Sequence, residues 1–286
     1  MIYQILAILI WSSAFVAAKY AEAMLDPILL VEFRLMIAAL FVLPTALKYA
    51  PRIPKGTWKP LTLLSFASYT GVLMLQFKGL QYTSASSAVT VIGLEPLIVV
   101  FLGHFFFGDR ARWFHWLCGV LAFAGVMLLL AGEHGTHSEG KNSLLGFILV
   151  LAGSIVFAAV MRPTKKMMQQ IPVPAFTALT IALAPLIAAP FALAFTQNWH
   201  IKWSLPGIAG ILYLGIGCNW LGYWLWNKGM AHVPSNLSGL LIALEPLFGV
   251  LMAVLLLHEP LTAASASGIA LVVGATLLAS AMQRKS

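Results

Sequence analysis

Charge is scarce in this sequence: 9% of its 286 residues are charged, against roughly a quarter in an ordinary soluble domain, while 60% are hydrophobic. A soluble fold could not hide that much apolar surface, so a soluble globular class is excluded before any motif is read. Cysteine is nearly absent. Cys118 and Cys218 each sit inside an apolar run, where a disulfide or metal pair has no spacing support. The pattern His-Glu-x-x-His, a nucleophile beside its base and a paired-acid motif are all missing, which argues against an intramembrane enzyme. His134 and His137 stand three apart in a link, a spacing too weak for a metal site. We therefore expect no cofactor and no bound metal.

What the chain does have is apolar runs long enough to cross ~30 Å of hydrocarbon, separated by short charged or Pro/Gly-rich links. They predict an all-α, polytopic membrane protein of ten transmembrane helices, near 2–19, 28–47, 60–79, 84–107, 113–132, 144–163, 174–195, 206–228, 235–257 and 264–282. The net charge of +8 lies in the links, which points to membrane orientation rather than to nucleic acid. With the N-terminus inside, the inner links and tail hold Lys48, Arg52, Lys55, Lys59, Arg110, Arg112, Arg162, Lys165, Lys166, Lys228, Arg284 and Lys285, and the outer links hold Lys19, Lys78, Lys141 and Lys202. Both termini are thus expected in the cytoplasm, with the chain in the plasma (inner) membrane. Trp58, Trp113, Trp116, Trp199 and Trp203 fall near predicted helix ends and read as interfacial anchors. The first run, although followed by the small-residue stretch Ala21-Glu22-Ala23, lacks a charged leading region and carries a Trp and two Ser, so it reads as a span rather than a cleaved signal.

Self-similarity is the most informative pattern. Lys78-Gly79-Leu80 and Glu95-Pro96-Leu97 recur as Lys228-Gly229-Met230 and Glu245-Pro246-Leu247 at a constant offset of 150, with Leu94 matching Leu244 and Asp109 matching Glu259. Residues 1–132 therefore form a first five-helix repeat, 133–143 an outer linker and 144–286 a second repeat. An odd number of helices per copy inverts the second relative to the first. Inverted repeats are a recurrent architecture of secondary transporters, with the site near the midplane between them.

These features, with Trp11-Ser12-Ser13 in the first helix, Asp26-Pro27 before the second and Arg34 within it, resemble the EamA branch of the drug/metabolite transporter superfamily across essentially the whole chain. The resemblance implies export of amino acids or other small metabolites through a central cavity, with exporters of aromatic and neutral amino acids as the nearest type. Arg34 has no equivalent in the second half, where Ile181 is the nearest position.

Glu95 and Glu245 fall near the membrane centre, where an ionised carboxylate costs ~2.5 to 3.5 kcal/mol, so each is expected to be neutral, paired or wet and is chemically able to carry a transport proton. The competing reading is structural. Pro96 and Pro246 cannot donate to the carbonyls of Ile92 and Ile242, and each helix should kink there as a hinge. Ser84, Ser87 and Ser238 on the same faces are small enough for close helix contact. Lys78 and Lys228 precede glycines at helix ends, which reads as a C-terminal charge followed by a left-handed cap, with attraction of substrate carboxylates as the alternative. Glu32 and Arg34 point apart, so a structural ion pair with another helix is the first reading for Arg34 and recognition of an anionic group the second.

Trp220, Tyr223, Trp224 and Asn227 lie at i, i+3, i+4 and i+7 of the eighth helix, with Asn219 beside them, and read either as packing or as a cavity wall offering stacking and amide contacts. Trp11 and Ser12 of the first helix, Tyr69 and Gln76 of the third and Tyr82 of the fourth join them as candidate substrate-binding residues. His104 reads as a hydrogen-bonded interior residue. The expected activity is secondary transport by alternating access, exporting aromatic or neutral amino acids, with efflux of cationic compounds as the alternative and a channel as a further rival. Its partners would be the small-molecule substrate, membrane lipid and a coupling proton.

Overall fold

The computed structural model describes residues 2–108, 111–134, 143–232, 241–242 and 244–284. Asp109, His137 and Ser238 lie outside the described residues, as does the first part of the predicted ninth helix. The described chain is helical. Among the described residues, seven helical rods are long and apolar enough to cross a membrane: α1 (Ile2–Glu22), α2 (Pro27–Arg52), α3 (Lys55–Leu80), α4 (Ala85–Phe106), α6 (Leu144–Gln170), α7 (Val173–Phe195) and α8 (Leu205–Met230). Three further helices follow among the described residues, α5 (Trp113–His134), α9 (Glu245–Leu257) and α10 (Ala263–Arg284), whose apolar stretches, Trp113–Leu129, Glu245–Leu257 and Ala263–Ala279, are shorter.

Polarity is distributed inside out. Leu40, Phe106, Phe123, Leu186 and Leu193 stand on the outer surface, whereas Arg34, Gln76, Glu95, Asn219, Asn227 and Glu245 are buried. This is the arrangement that lipid, not water, stabilises, because a buried polar group then has partners that hydrocarbon cannot offer.

Helix ends show why the chain turns where it does. Asp26 caps α2 by accepting from the Ile28 N–H at 2.9 Å, and Pro27 fills the first turn, where no amide hydrogen is needed. Its second oxygen accepts from the Gln197 N–H, tying this turn to the α7–α8 link. Several rods run further than expected. α6 continues through Pro163 to Gln170, so Arg162, Lys165 and Lys166 lie in a helix end and not in a link.

Packing pairs α2 with α7, α5 with α10, α3 with α6 and α1 with α8. Glycines set the closest approaches. A Cβ on Gly125 would stand 2.7 Å from the Gly268 carbonyl, and one on Gly79 would stand 2.9 Å from the Gly146 carbonyl. Gly79 and Gly229 are thus close-contact positions within helices; the left-handed caps expected there are found instead at Gly108 (φ 74°) and His258 (φ 53°).

Two irregularities recur at matching places. α3 contains a π-helical segment at Phe66–Gly71 and α8 one at Tyr213–Gly222, overlapping at the offset of 150. The burial pattern along residues 31–40 is repeated residue for residue along 181–190. The counterpart of Arg34 is therefore Ala184, and Ile181 corresponds to Val31.

Candidate functional site

The Glu-Pro motifs break their helices rather than bend them. Within α4 the first regular segment stops at Ile92, a turn follows at Gly93 and Leu94, and a second helical segment begins at Glu95 with Pro96 in its first turn. The expected collision of the Pro96 ring with the Ile92 carbonyl is avoided because proline stands where a helix start needs no donor. Glu245 and Pro246 open α9 in the same way. The two breaks also meet, since a Cβ on Gly93 would stand 2.8 Å from the Pro246 ring. The Thr276 hydroxyl of α10 donates to the Gly93 carbonyl at 3.0 Å, and the Ser12 hydroxyl of α1 donates to the Glu245 carbonyl at 3.1 Å, so the neighbouring helices satisfy the backbone near each break.

Between these breaks lies a buried cavity with about 60 Å³ of space open to the centre of a water molecule. Trp11, Phe15, Arg34, Gln76, Phe77 and Tyr223 line it together with Glu95 and Glu245. The two carboxyl groups are close enough to interact electrostatically, and Ser154, whose hydroxyl has no other partner, stands beside Glu95. At ~10–15 Å³ per water, the space suits a few waters and must widen to take an amino acid.

Aromatic rings close the cavity on two sides. Phe15 stacks on Phe77 with centroids 5.5 Å apart, and beyond them the Lys19 ammonium donates to the Leu80 carbonyl at 2.6 Å. On the opposite side Tyr223 packs against Tyr69 at 4.6 Å and donates to the Ser68 carbonyl. Past Tyr223 and Phe157 is a second, smaller void of about 30 Å³, which Tyr69, Trp226 and Asn227 help to line. Two larger clefts, of about 340 and 640 Å³, open on the outer surface and are walled mainly by aliphatic side chains.

Of the sequence candidates, the structure brings Trp11, Gln76, Tyr223, Glu95 and Glu245 into the central cavity, and Tyr69 and Asn227 into the smaller void. Others go elsewhere. Ser12 holds the backbone carbonyls of Ile8 and Glu245. Asn219 is buried behind Arg34, Tyr82 sits under Lys78, Trp220 stacks on Phe41, and Trp224 packs with Tyr3 and Lys228. The expected stripe on α8 is split because its upper part is π-helical, and the changed pitch turns Trp220 away from Tyr223. Ser84 serves as an N-cap, accepting from the Ser87 N–H, and His104 accepts from the Ala111 N–H.

Arg34 differs most from expectation. Among the described residues no carboxylate stands within ion-pair distance of it. Its Nη2 donates to Asn219 Oδ1 at 2.6 Å, and its guanidinium lies 4.4 Å from the Phe77 ring centroid. Phe15 and Phe77 line the cavity although they were not among the candidates for binding, and Arg34, for which recognition of an anionic group was the second reading, lines it too; helical periodicity on α1 and α3 could have found the two phenylalanines.

The model of the EamA-like transporter family matches residues 1–131 and 144–281. A probable amino-acid metabolite efflux pump of Salmonella typhimurium is 29% identical over 283 residues, covering 94% of this chain and 90% of that protein. An uncharacterized transporter of Haemophilus influenzae is 48% identical over 142 residues, which is 50% of this chain and 84% of the relative. A solved crystal structure superposes with a TM-score of 0.71 at 22% identity, covering 99% of this chain and 97% of the other, a likeness of fold alone.

Proposed function

The chain belongs to the EamA-like transporter family, and from that premise we propose that it exports small metabolites, foremost aromatic or neutral amino acids, by alternating access around the central cavity. One observation carries this reading: the polar residues that α1–α4, α8 and α9 send inward meet in one cavity that aromatic rings close on two sides. Ten spans in two inverted repeats, 1–132 and 144–286 about a linker at 133–143, account for the recurrence of π segments, left-handed caps and Glu-Pro breaks at one offset. Exchange of the two halves between equivalent conformations would open the cavity first past Tyr69 and Tyr223 and then past Phe15 and Phe77. The basic bias of one set of links supports cytoplasmic termini and residence in the inner membrane.

Trp11 and Tyr223 offer stacking surfaces, Gln76 an amide, and the facing carboxyls of Glu95 and Glu245 an acceptor for an ammonium or a proton. Two carboxyls in so small a cavity repel when both are charged, which favours uptake of a coupling proton. The relative named as an amino-acid metabolite efflux pump supports the substrate class. Efflux of cationic compounds is the second reading, favoured by the same rings and carboxyls.

Counterflow in proteoliposomes separates these readings. Purified protein loaded with unlabelled neutral and aromatic amino acids should accumulate the labelled form saturably. Linear, unsaturable flux would indicate a channel. Counterflow of hydrophobic cations without that of any amino acid would replace the amino-acid reading with the cationic one.

A further inference from the structure

Arg34 and Asn219 together present three buried donors with no acceptor: Nε and Nη1 of Arg34 and Nδ2 of Asn219. Both residues are at least 98% buried, at 2% and 0% exposure. Arg34 lines the central cavity, and Asn219 stands behind it. A cluster made only of donors, one of them permanently charged, is a half-built site. Leaving such groups unpaired in a low-dielectric interior is unfavourable, and each donor calls for an oxygen.

Nothing within the described chain fills that need. Glu95 and Glu245 line the same cavity, yet the hydrogen bond to Asn219 and the stacking on Phe77 hold the guanidinium out of ion-pair distance from both. Nη2 carries two hydrogens and gives one to Asn219; the other lies parallel to the unpaired N–H of either Nε or Nη1, so one edge of the fork stays open to a bidentate carboxylate. Phosphate would match the same edge, but its extra charge is poorly served by walls of Phe15, Phe77 and Trp11 and by the two carboxyl groups that line the same cavity.

We propose that Arg34 is the residue that receives the substrate's carboxylate, with Asn219 as its positioning partner, so that the substrate class is a compound with one carboxylate and a moderately apolar body. The inference deepens the transport reading above and rests on it for the location of the site. An amino acid would place its carboxylate on Arg34 and its ammonium toward Glu95 and Glu245. The one-sided occurrence of arginine then has a purpose: with Ala184 at the matching place, the carboxylate has a single docking point and the substrate one orientation.

The test uses reconstituted full-length protein and counterflow of labelled phenylalanine, competed by phenylalanine, by phenylalaninamide and by phenethylamine. Phenylalanine should compete at least about tenfold better than its amide, a ratio typical of losing one charge-assisted contact. In Arg34→Gln that preference should fall to within about twofold, and in Arg34→Lys, which keeps the charge but loses the fork, it should be intermediate. A purely structural Arg34 would lower rates without moving this ratio. Equal competition by acid and amide in the unchanged protein overturns the proposal, whether or not Arg34→Gln folds, and leaves amino-acid export standing. So does a preference that survives in Arg34→Gln. If no amino acid shows counterflow, the amino-acid reading fails separately, and heat stabilisation by 3-phenylpropionate but not by phenethylamine, lost in Arg34→Lys and Arg34→Gln, still supports a carboxylate site. Stabilisation by both compounds alike removes it.

Discussion

Tyr69 and Asn219 hold matching places in the π-helical segments of α3 and α8, yet one is a ring that closes the cavity and the other an amide that holds Arg34. The same divergence runs through the cavity lining. Arg34 faces Ala184 across the duplication, Gln76 matches Trp226, and Leu73 matches Tyr223. Backbone features, by contrast, stay paired: the helix breaks before Glu95 and Glu245, the left-handed ends at Gly108 and His258, and the buried pattern of α2 and α7. In the proposed alternating-access cycle, exchange of the two halves would depend on matched backbones, while a substrate that is not symmetric would need unmatched side chains.

Among the polar residues that line the cavity, the pair matched in both backbone and side chain is Glu95 and Glu245, and substituting them sets the two halves most sharply against each other. If both carboxyls share a coupling proton, Glu95→Gln and Glu245→Gln should each remove the dependence of uptake on an imposed pH gradient, a loss of about tenfold or more in gradient-driven flux. Loss with only one of them would assign the proton to one half. Unchanged dependence in both would leave the motifs as structural breaks.

Gly79 and Gly229 give a smaller effect. Added at Gly79, a methyl group meets the Gly146 carbonyl at 2.9 Å, which is backbone and cannot move alone; at Gly229 it meets Cγ of the fully buried Gln4 at 2.5 Å, an atom near the root of that side chain. Gly79→Ala and Gly229→Ala should each lower stability by about 1 to 3 kcal/mol, read as melting temperatures in detergent. A clearly smaller loss at one of them would show that the helix facing it can yield where the other cannot.

The smallest effect concerns the two left-handed helix ends. His258 holds φ 53° with a side chain that disfavours it, whereas Gly108 holds φ 74° with none. His258→Gly should raise stability by about 1 kcal/mol and Gly108→Ala should lower it by a similar amount, measured in the same melts. A loss on His258→Gly would show that the imidazole has contacts worth more than the strain.

The legible part of this molecule followed from patterns with a physical period. Apolar runs of membrane length gave the rods, and the second was placed to begin at residue 28, one residue from the Pro27 start that Asp26 caps. Trp11, Gln76, Tyr223 and the two glutamates were identifiable because polar and aromatic groups are costly or conspicuous inside a span. Trp220, Trp224 and Tyr82 were misplaced as cavity residues because a regular helical wheel does not anticipate a π segment or a cation resting on a ring. Ser12 and Asn219 were read as lining the cavity directly, whereas their side chains hold the Glu245 carbonyl and the Arg34 guanidinium, partners 233 and 185 residues away.

By itself the sequence determined that this chain is a multi-helix membrane protein with an internal duplication, because hydropathy and repetition are properties of residue order and need no fold to be read. Only the tertiary structure decided that the Glu-Pro motifs break their helices against one another and that Arg34 has no carboxylate partner among the described residues. It also decided which face of α8 looks inward. Those outcomes depend on which helices cross and how closely, and the energy of a buried charge is fixed by neighbours that the order of residues does not name.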